Sequence, residues 1–399
     1  MATNNQTSDS RQHKTALVLA GGGITGAVYE LGALRAIDAL LIGRTVNDFD
    51  LYVGTSAGAL VGALIAGGLR PDQILQMMEQ RSAVRRQIGP RDLFPLNLGD
   101  VLHRLRNLPA ALYRAGRNLL AQRREVAFTD ILWDLAEILP SGFYHTAALE
   151  RYVEGLLYEA GRTNDFRCLR RSLFVVATEL DTGRRAVFDR QTTPQVPISQ
   201  AVAASSAVPV LYRPVQIGEH DYVDGGLQGA ASLDLAIEAG AQLVVCINPM
   251  APLDTSHIDR NYIRRHGFQA VINQSVRTLL HASVRYHVKN LRAKYPLVDI
   301  ILIEPRLDDT TIPRYNPMHY ASRRAVAEHG FRTVTEGLLA NADDFQRILA
   351  RHGIIVQTPC ATAEPASSET PTLLTAFAEL ETNLRRLQES RAFSDAASR

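Results

Sequence analysis

From Lys14 onward, short apolar runs alternate with segments whose apolar positions recur at helical spacing. Thr15–Ala20 is a mostly apolar run ending in glycines, the pattern of a buried strand, and Gly26–Leu41 has the periodicity of a helix. Asp50–Gly54 and Ala57–Ala66 repeat the pair. Ser172–Glu179 and Arg184–Phe188 flank the turn Asp181-Thr182-Gly183 and read as a hairpin. Ser199–Ser205 and Leu233–Ala239 are short helices by pattern, the second leading into the strand Leu243–Asn248, and between them His220 and Asp221 fall in an apparent turn before the strand Tyr222–Asp224. Such alternation between Lys14 and Pro249 predicts an α/β fold, three layers deep, around a mainly parallel sheet.

Two regions depart from this rhythm. Residues 70–140 form a mainly helical insertion, broken by Pro90, Pro95 and Pro109. Residues 251–345 read as a helical extension with one added strand: a long helix Arg265–Lys294, the strand Val298–Pro305, and a helix near Met318–Leu339. The expected division is a disordered tail at 1–13, a main domain at 14–250 with the insertion as a cap, the extension packed on it, and 346–399. That last region combines the linker Gln357–Thr372, rich in Thr, Pro, Ala, Ser and Glu, with an amphipathic helix at Leu373–Ser390.

Composition narrows the function classes. The formal net charge of +2 argues against a dedicated nucleic-acid binder. Cys168, Cys246 and Cys360 are too widely spaced for a disulfide framework or a zinc site, which suits a reducing compartment. No apolar run approaches the ~18–20 residues of a membrane span, and the first run is short for a signal peptide. A cytoplasmic chain is expected, attached to a membrane only from its inner surface if at all. Neither metal nor cofactor is called for.

Gly21, Gly23 and Gly26 satisfy the G-x-G-x-x-G pattern between a strand and a helix, as a dinucleotide site requires. Such a site also needs an acidic residue at the carboxyl end of the second strand, to hold the ribose. Asp48 and Asp50 precede that strand instead. The strand runs into Gly54-Thr55-Ser56-Ala57-Gly58, a G-x-S-x-G strand–turn–helix elbow that presents a serine hydroxyl. Downstream histidines such as His319 and His329 would complete an ordinary triad, but both lie in a helix-like segment.

Four blocks in order then resemble the patatin-like phospholipases: Gly21–Gly26, Gly54–Gly58, Ala204–Val215 and Val223–Gly226. The resemblance covers about Thr15 to Asn248 and implies a lipid acyl hydrolase with a Ser–Asp dyad. Carried over, it implies Ser56 as nucleophile, Asp224 as its base, and an oxyanion hole from the N–H groups of Gly21, Gly22 and Gly23. Gly26, Gly225 and Gly226 would support these loops. In the family an arginine or lysine commonly stands where this chain has Thr25, so a cation beside the site is lost while backbone donors survive. The implied partner is a lipid or phospholipid substrate. Alternatives are a carboxylesterase or thioesterase on soluble acyl substrates, and a patatin-fold protein that binds lipid or a partner with little turnover.

Between Arg81 and Arg124 stand ten arginines against Asp92 and Asp100. Leu102, Leu105, Leu108, Leu112 and Leu119 recur at mainly helical spacing, with Arg106, Arg114 and Arg117 interleaved. A basic amphipathic segment of this kind is expected to meet an anionic membrane surface. Oligomeric state is not legible in the sequence.

Overall fold

The computed structural model describes residues 13–79, 140–257, 259, 261–311 and 323–357. The expected tail up to Gln12, Arg106, Arg114 and Arg117 of the insertion, the linker beyond Gln357 and the terminal helix lie outside the described residues. In chain order the strands are β1 Thr15–Leu19, β2 Leu51–Thr55, β3 Gly142–Tyr144, β4 Ser172–Glu179 and β5 Arg185–Phe188. They continue as β6 Val210–Tyr212, β7 Val215–Ile217, β8 His220–Asp224, β9 Leu243–Ile247 and β10 Asp299–Ile303. The principal helices are α1 Gly23–Leu40, α2 Ala57–Ala66, α3 Pro71–Glu79, α4 Ala147–Glu159 and α5 Ile198–Ser205. After them come α6 Leu233–Glu238, α7 Gly267–Lys294, α8 Arg323–Ala340 and α9 Ala342–Arg351.

Strand order in the main sheet is β10-β9-β1-β2-β4-β8-β7, with β5 also paired to β4. The run from β10 to β4 is parallel, whereas β5, β7 and β8 pair antiparallel. Every residue of β1, β2 and β9 is buried, which explains why they read as continuous apolar runs rather than alternating ones. Leu17, Leu19 and Tyr52 face a layer that includes α1, α2, α4, α5 and α8. On the other face Ala16, Val18, Val53 and Cys246 meet Leu233 and Ala236 of α6 and Val284 and Val288 of α7. The layering is α/β/α, as the pattern predicts.

Three local expectations change. First, α1 begins at Gly23 rather than Gly26, so Gly23 and Thr25 belong to its opening turn. Second, His220 and Asp221, expected in a turn, open β8. The reversal needs only Gly218 and Glu219, because Gly218 adopts φ 63° and Ile217 pairs directly with His220. Third, α9 runs across the boundary expected at 345/346. Its Phe345 and Leu349 are buried in the core, and Val356 bridges Leu41 at the end of α1, so this stretch packs as part of the fold.

Candidate active site

The elbow is built from small residues because two elements must nearly touch. A Cβ at Gly54 would lie 2.5 Å from Ala59 Cα, and one at Gly58 would lie 2.3 Å from the Leu19 carbonyl oxygen. Between them Ser56 sits at φ 54°, ψ −121°, a conformation that costs a non-glycine residue about 1–3 kcal/mol. Its neighbours hold it there. The Ser56 N–H donates to Ser205 Oγ at 2.8 Å, and Ser205 Oγ donates in turn to the Val176 carbonyl at 2.5 Å. Ser206 Oγ donates to the Ser56 carbonyl at 3.2 Å.

Strand pairing brings Asp224 to the same place. Residues 172–176 of β4 pair with β2, ending at Thr55 opposite Val176. The next position, Ala177, pairs with Asp224 of β8. Because β5 already pairs with Ala177 and Thr178, β8 must occupy the same edge of β4 as β2. The strands β2 and β8 therefore meet end to end, one finishing at the elbow and the other at Asp224. Gly225 permits this approach, since a Cβ there would lie 2.3 Å from the Val176 carbonyl oxygen.

Ser56 and Asp224 are each 7 % exposed. Burial pushes the Asp224 carboxyl up to about 6, against the lowering effect of hydrogen bonds from the Ser56 hydroxyl and the Gly226 N–H. The Gly226 N–H lies 2.7 Å from Asp224 Oδ1, and Thr178 Oγ1 donates to the Asp224 carbonyl at 3.1 Å. A carboxylate so placed is a stronger base than an exposed aspartate and still ionised at neutral pH.

The glycine loop closes the third side. A Cβ at Gly21 would stand 3.2 Å from Ser56 Cβ, so only glycine leaves the hydroxyl uncrowded. Gly21 does not supply an open donor, however. Its N–H bonds the Ala230 carbonyl at 3.2 Å, which corrects the expectation that all three glycine amides face the oxyanion. Gly22 and Gly23 open α1, where the first amides have no carbonyl one turn earlier to bond. The same helix end carries partial positive charge. Gly22 and Gly26 both pack on Pro249, with a Gly22 Cβ reaching 2.7 Å from its Cγ. Thr25 is buried at 3 % exposure and adds no charge.

Asp50 accepts from the Thr15 N–H at 2.8 Å, at the opposite end of the strands from this loop, so it is not placed as a ribose ligand. His329 pairs with Asp309 at 2.6 Å, and His319 lies outside the described residues. Beside Ser56 opens a cleft lined by apolar groups, among them Ile24, Ala27, Leu60, Met78, Leu149 and Tyr152. The site thus joins a buried hydroxyl, a carboxylate of raised basicity, helix-end amides and an apolar cavity.

The model of the patatin-like phospholipase family matches residues 17–237, a span containing both Ser56 and Asp224. The chain belongs to this family. Among its relatives is the cUMP-AMP-activated phospholipase of Escherichia coli, 42% identical over 85 residues, 19% of this chain and 26% of that protein. The probable lipid hydrolase 463L of Invertebrate iridescent virus 6 is 23% identical over 228 residues, 57% of this chain and 64% of that protein. The matches thus span less than two thirds of either relative's length. Two solved structures are similar to this chain. VipD from Legionella pneumophila shows 18% identity and a TM-score of 0.35, covering 82% of this chain and 67% of VipD. The type III effector ExoU shows 16% identity and a TM-score of 0.35, with 82% and 53% covered.

In this patatin-like chain several contributors to the site escape sequence reasoning. Ser205 and Ser206 stand in the third of the four blocks, yet nothing in their order says that they grip the backbone of Ser56. Ala230 and Pro249 are ordinary loop residues until the fold sets them against the glycine loop. Glu30 is fully buried in α1, and desolvation raises its carboxyl well above the usual range.

Proposed function

We propose that the chain is a serine lipid acyl hydrolase that cleaves fatty-acyl esters of lipids or phospholipids. Family membership supports lipid hydrolysis as the reaction class. One observation carries the finer reading: the buried Asp224 carboxylate faces the hydroxyl of a serine held on a strained elbow, at the mouth of an apolar cleft.

In this reading Ser56 Oγ attacks the ester carbonyl carbon while Asp224 takes its proton. The amides of Gly22 and Gly23 are the candidate donors to the tetrahedral oxyanion. Collapse expels the alcohol, which takes the proton back from Asp224 and leaves an acyl-enzyme on Ser56. Asp224 then deprotonates water, which attacks the acyl carbon, and the proton returns to Ser56 Oγ with release of fatty acid. The apolar lining favours a long acyl chain over a short soluble one, and Thr25 leaves the head group without a cation at the position where relatives commonly carry one.

A fluorophosphonate probe tests the nucleophile. Labelling is expected for the parent protein and its loss for Ser56→Ala, with Asp224→Asn labelling far more slowly. A folded parent that never labels would overturn the assignment. Release of fatty acid from phospholipid vesicles, set against p-nitrophenyl esters of increasing chain length, separates a lipid hydrolase from a soluble esterase.

A further inference from the structure

Helix α7 is apolar on two opposite faces, and the fold accounts for only one of them. Val284, Val288 and Leu291 are buried against the sheet, together with Arg277. At 3.6 residues per turn the far side carries Phe268, Ile272, Leu279 and Tyr286 in one line, flanked by Val271 and Val276. All six are exposed, Phe268 by 81 %, Leu279 by 71 % and Tyr286 by 69 %. A surface helix ordinarily turns polar residues outward, and an aligned apolar stripe of this length marks a contact surface.

The stripe's position ties it to the active site. Gln274 makes two hydrogen bonds to the Leu253 backbone, at 2.8 and 3.1 Å, and Arg277 Nη1 donates to the Ala251 carbonyl at 3.3 Å. That segment directly follows β9, and its Pro249 packs on Gly22 and Gly26 of the glycine loop. The first half of α7 is therefore fastened to the carboxyl end of the sheet, where Ser56 lies. Leu227, exposed in the turn just after Asp224, belongs to the same end.

Charge decides between occupants. The 28 residues of α7 contain no Asp or Glu. Lys289 and Lys294 are exposed on it, and exposed Arg264 precedes it. Arg285 and Arg265 are also exposed, although they pair with Glu304 and Asp259 respectively. A second copy would set these cations against their own kind. A lipid surface offers acyl chains to the stripe and anionic head groups to the cations. We propose that the outward face of α7 docks on an anionic lipid surface and so delivers the catalytic mouth to its substrate. The proposal rests on the reading of the chain as a lipid hydrolase.

The test uses the full chain carrying Ser56→Ala, sedimented with vesicles of phosphatidylcholine alone or mixed with phosphatidylglycerol. Binding to the mixed vesicles is expected, weakening as salt is raised. Combined Phe268→Gln, Leu279→Gln and Tyr286→Gln should cut it at least about tenfold, since partition scales with buried apolar area. With Ser56 restored, the same triple variant should lose vesicle hydrolysis to a similar degree while still hydrolysing a short p-nitrophenyl ester. Leu279→Trp alone should show a blue-shifted emission on mixed vesicles relative to the parent, and this decides the matter if the triple variant fails to fold. No vesicle binding by the parent, binding independent of phosphatidylglycerol, an unaffected triple variant, or an unshifted Trp would each overturn the proposal. So would a parent dimer that the triple variant splits, because the stripe would then be a protein contact. Absence of ester hydrolysis by the Ser56 protein would instead defeat the functional reading and leave the vesicle arms interpretable.

Discussion

Ser56 and Asp224 are both held in states that a free residue avoids, one by backbone geometry and the other by burial. Strain at Ser56 predicts a separation of stability from activity. Ser56→Gly and Ser56→Ala should both be inactive, but the glycine variant should be the more stable by about 1 kcal/mol, since only it adopts φ 54° without steric cost. Urea denaturation of the two variants checks this. Asp224 predicts a pH profile. As the proposed base it must be ionised, so kcat/KM should rise through about pH 6 and level off above it. Asp224→Asn should lose roughly 10²–10⁴-fold in kcat and the acidic limb with it. Gly21→Ala tests crowding rather than donation: its methyl group would press on Ser56 at 3.2 Å, so turnover should fall while the melting temperature stays close to wild type.

Among the elements, close approaches depend on glycine. Helices α1 and α8 cross where a Cβ at Gly32 would lie 2.3 Å from the Ala327 carbonyl oxygen, and one at Gly330 would lie 3.0 Å from Tyr29. Gly32→Ala is therefore expected to cost about 1–3 kcal/mol through overpacking, despite alanine's better helix propensity. Kinetic constants of the folded fraction should be unchanged, because the crossing lies away from the elbow. A denaturation midpoint measured beside kcat distinguishes the two effects. Both helices are visible in the sequence as periodic segments, but their crossing is not, since spacing along one chain says nothing of which partner will press against it.

For the molecule as a whole, buried carboxyls set the response to pH. Desolvation raises Asp224 and Asp38 to about 6 from an ordinary 3.8. A folded-state value above the unfolded one gives stability that is complete below pH 3.8 and is lost as pH rises through about 6. Asp234 runs the other way. Although partly buried, it is brought down to about 2 by hydrogen bonds from His287 and Arg185, so its contribution is lost as pH falls toward that value. Thermal stability should accordingly decline between about pH 4 and pH 7, and Asp224→Asn should remove roughly 1–3 kcal/mol of that decline. Calorimetric melts across this range provide the measurement.

Read alone, the chain specifies β1, β2, β4, β5 and β9, helices α1, α2, α5 and α6, the elbow at Gly54–Gly58 and the glycine loop, because each is written in contiguous residues by periodicity or backbone freedom. It also places Asp224 in a recognisable block, but not next to Ser56. That meeting depends on two strands, distant in the chain, pairing with one edge of β4 so that one ends where the other begins. Folding alone establishes that Ser205 grips the Ser56 backbone, that Gly21 commits its N–H to Ala230, and that α9 joins the core. It also sets the outward face of α7 at the active-site end. In each case the deciding contact joins segments far apart in sequence, and a linear pattern holds no information about distances of that kind.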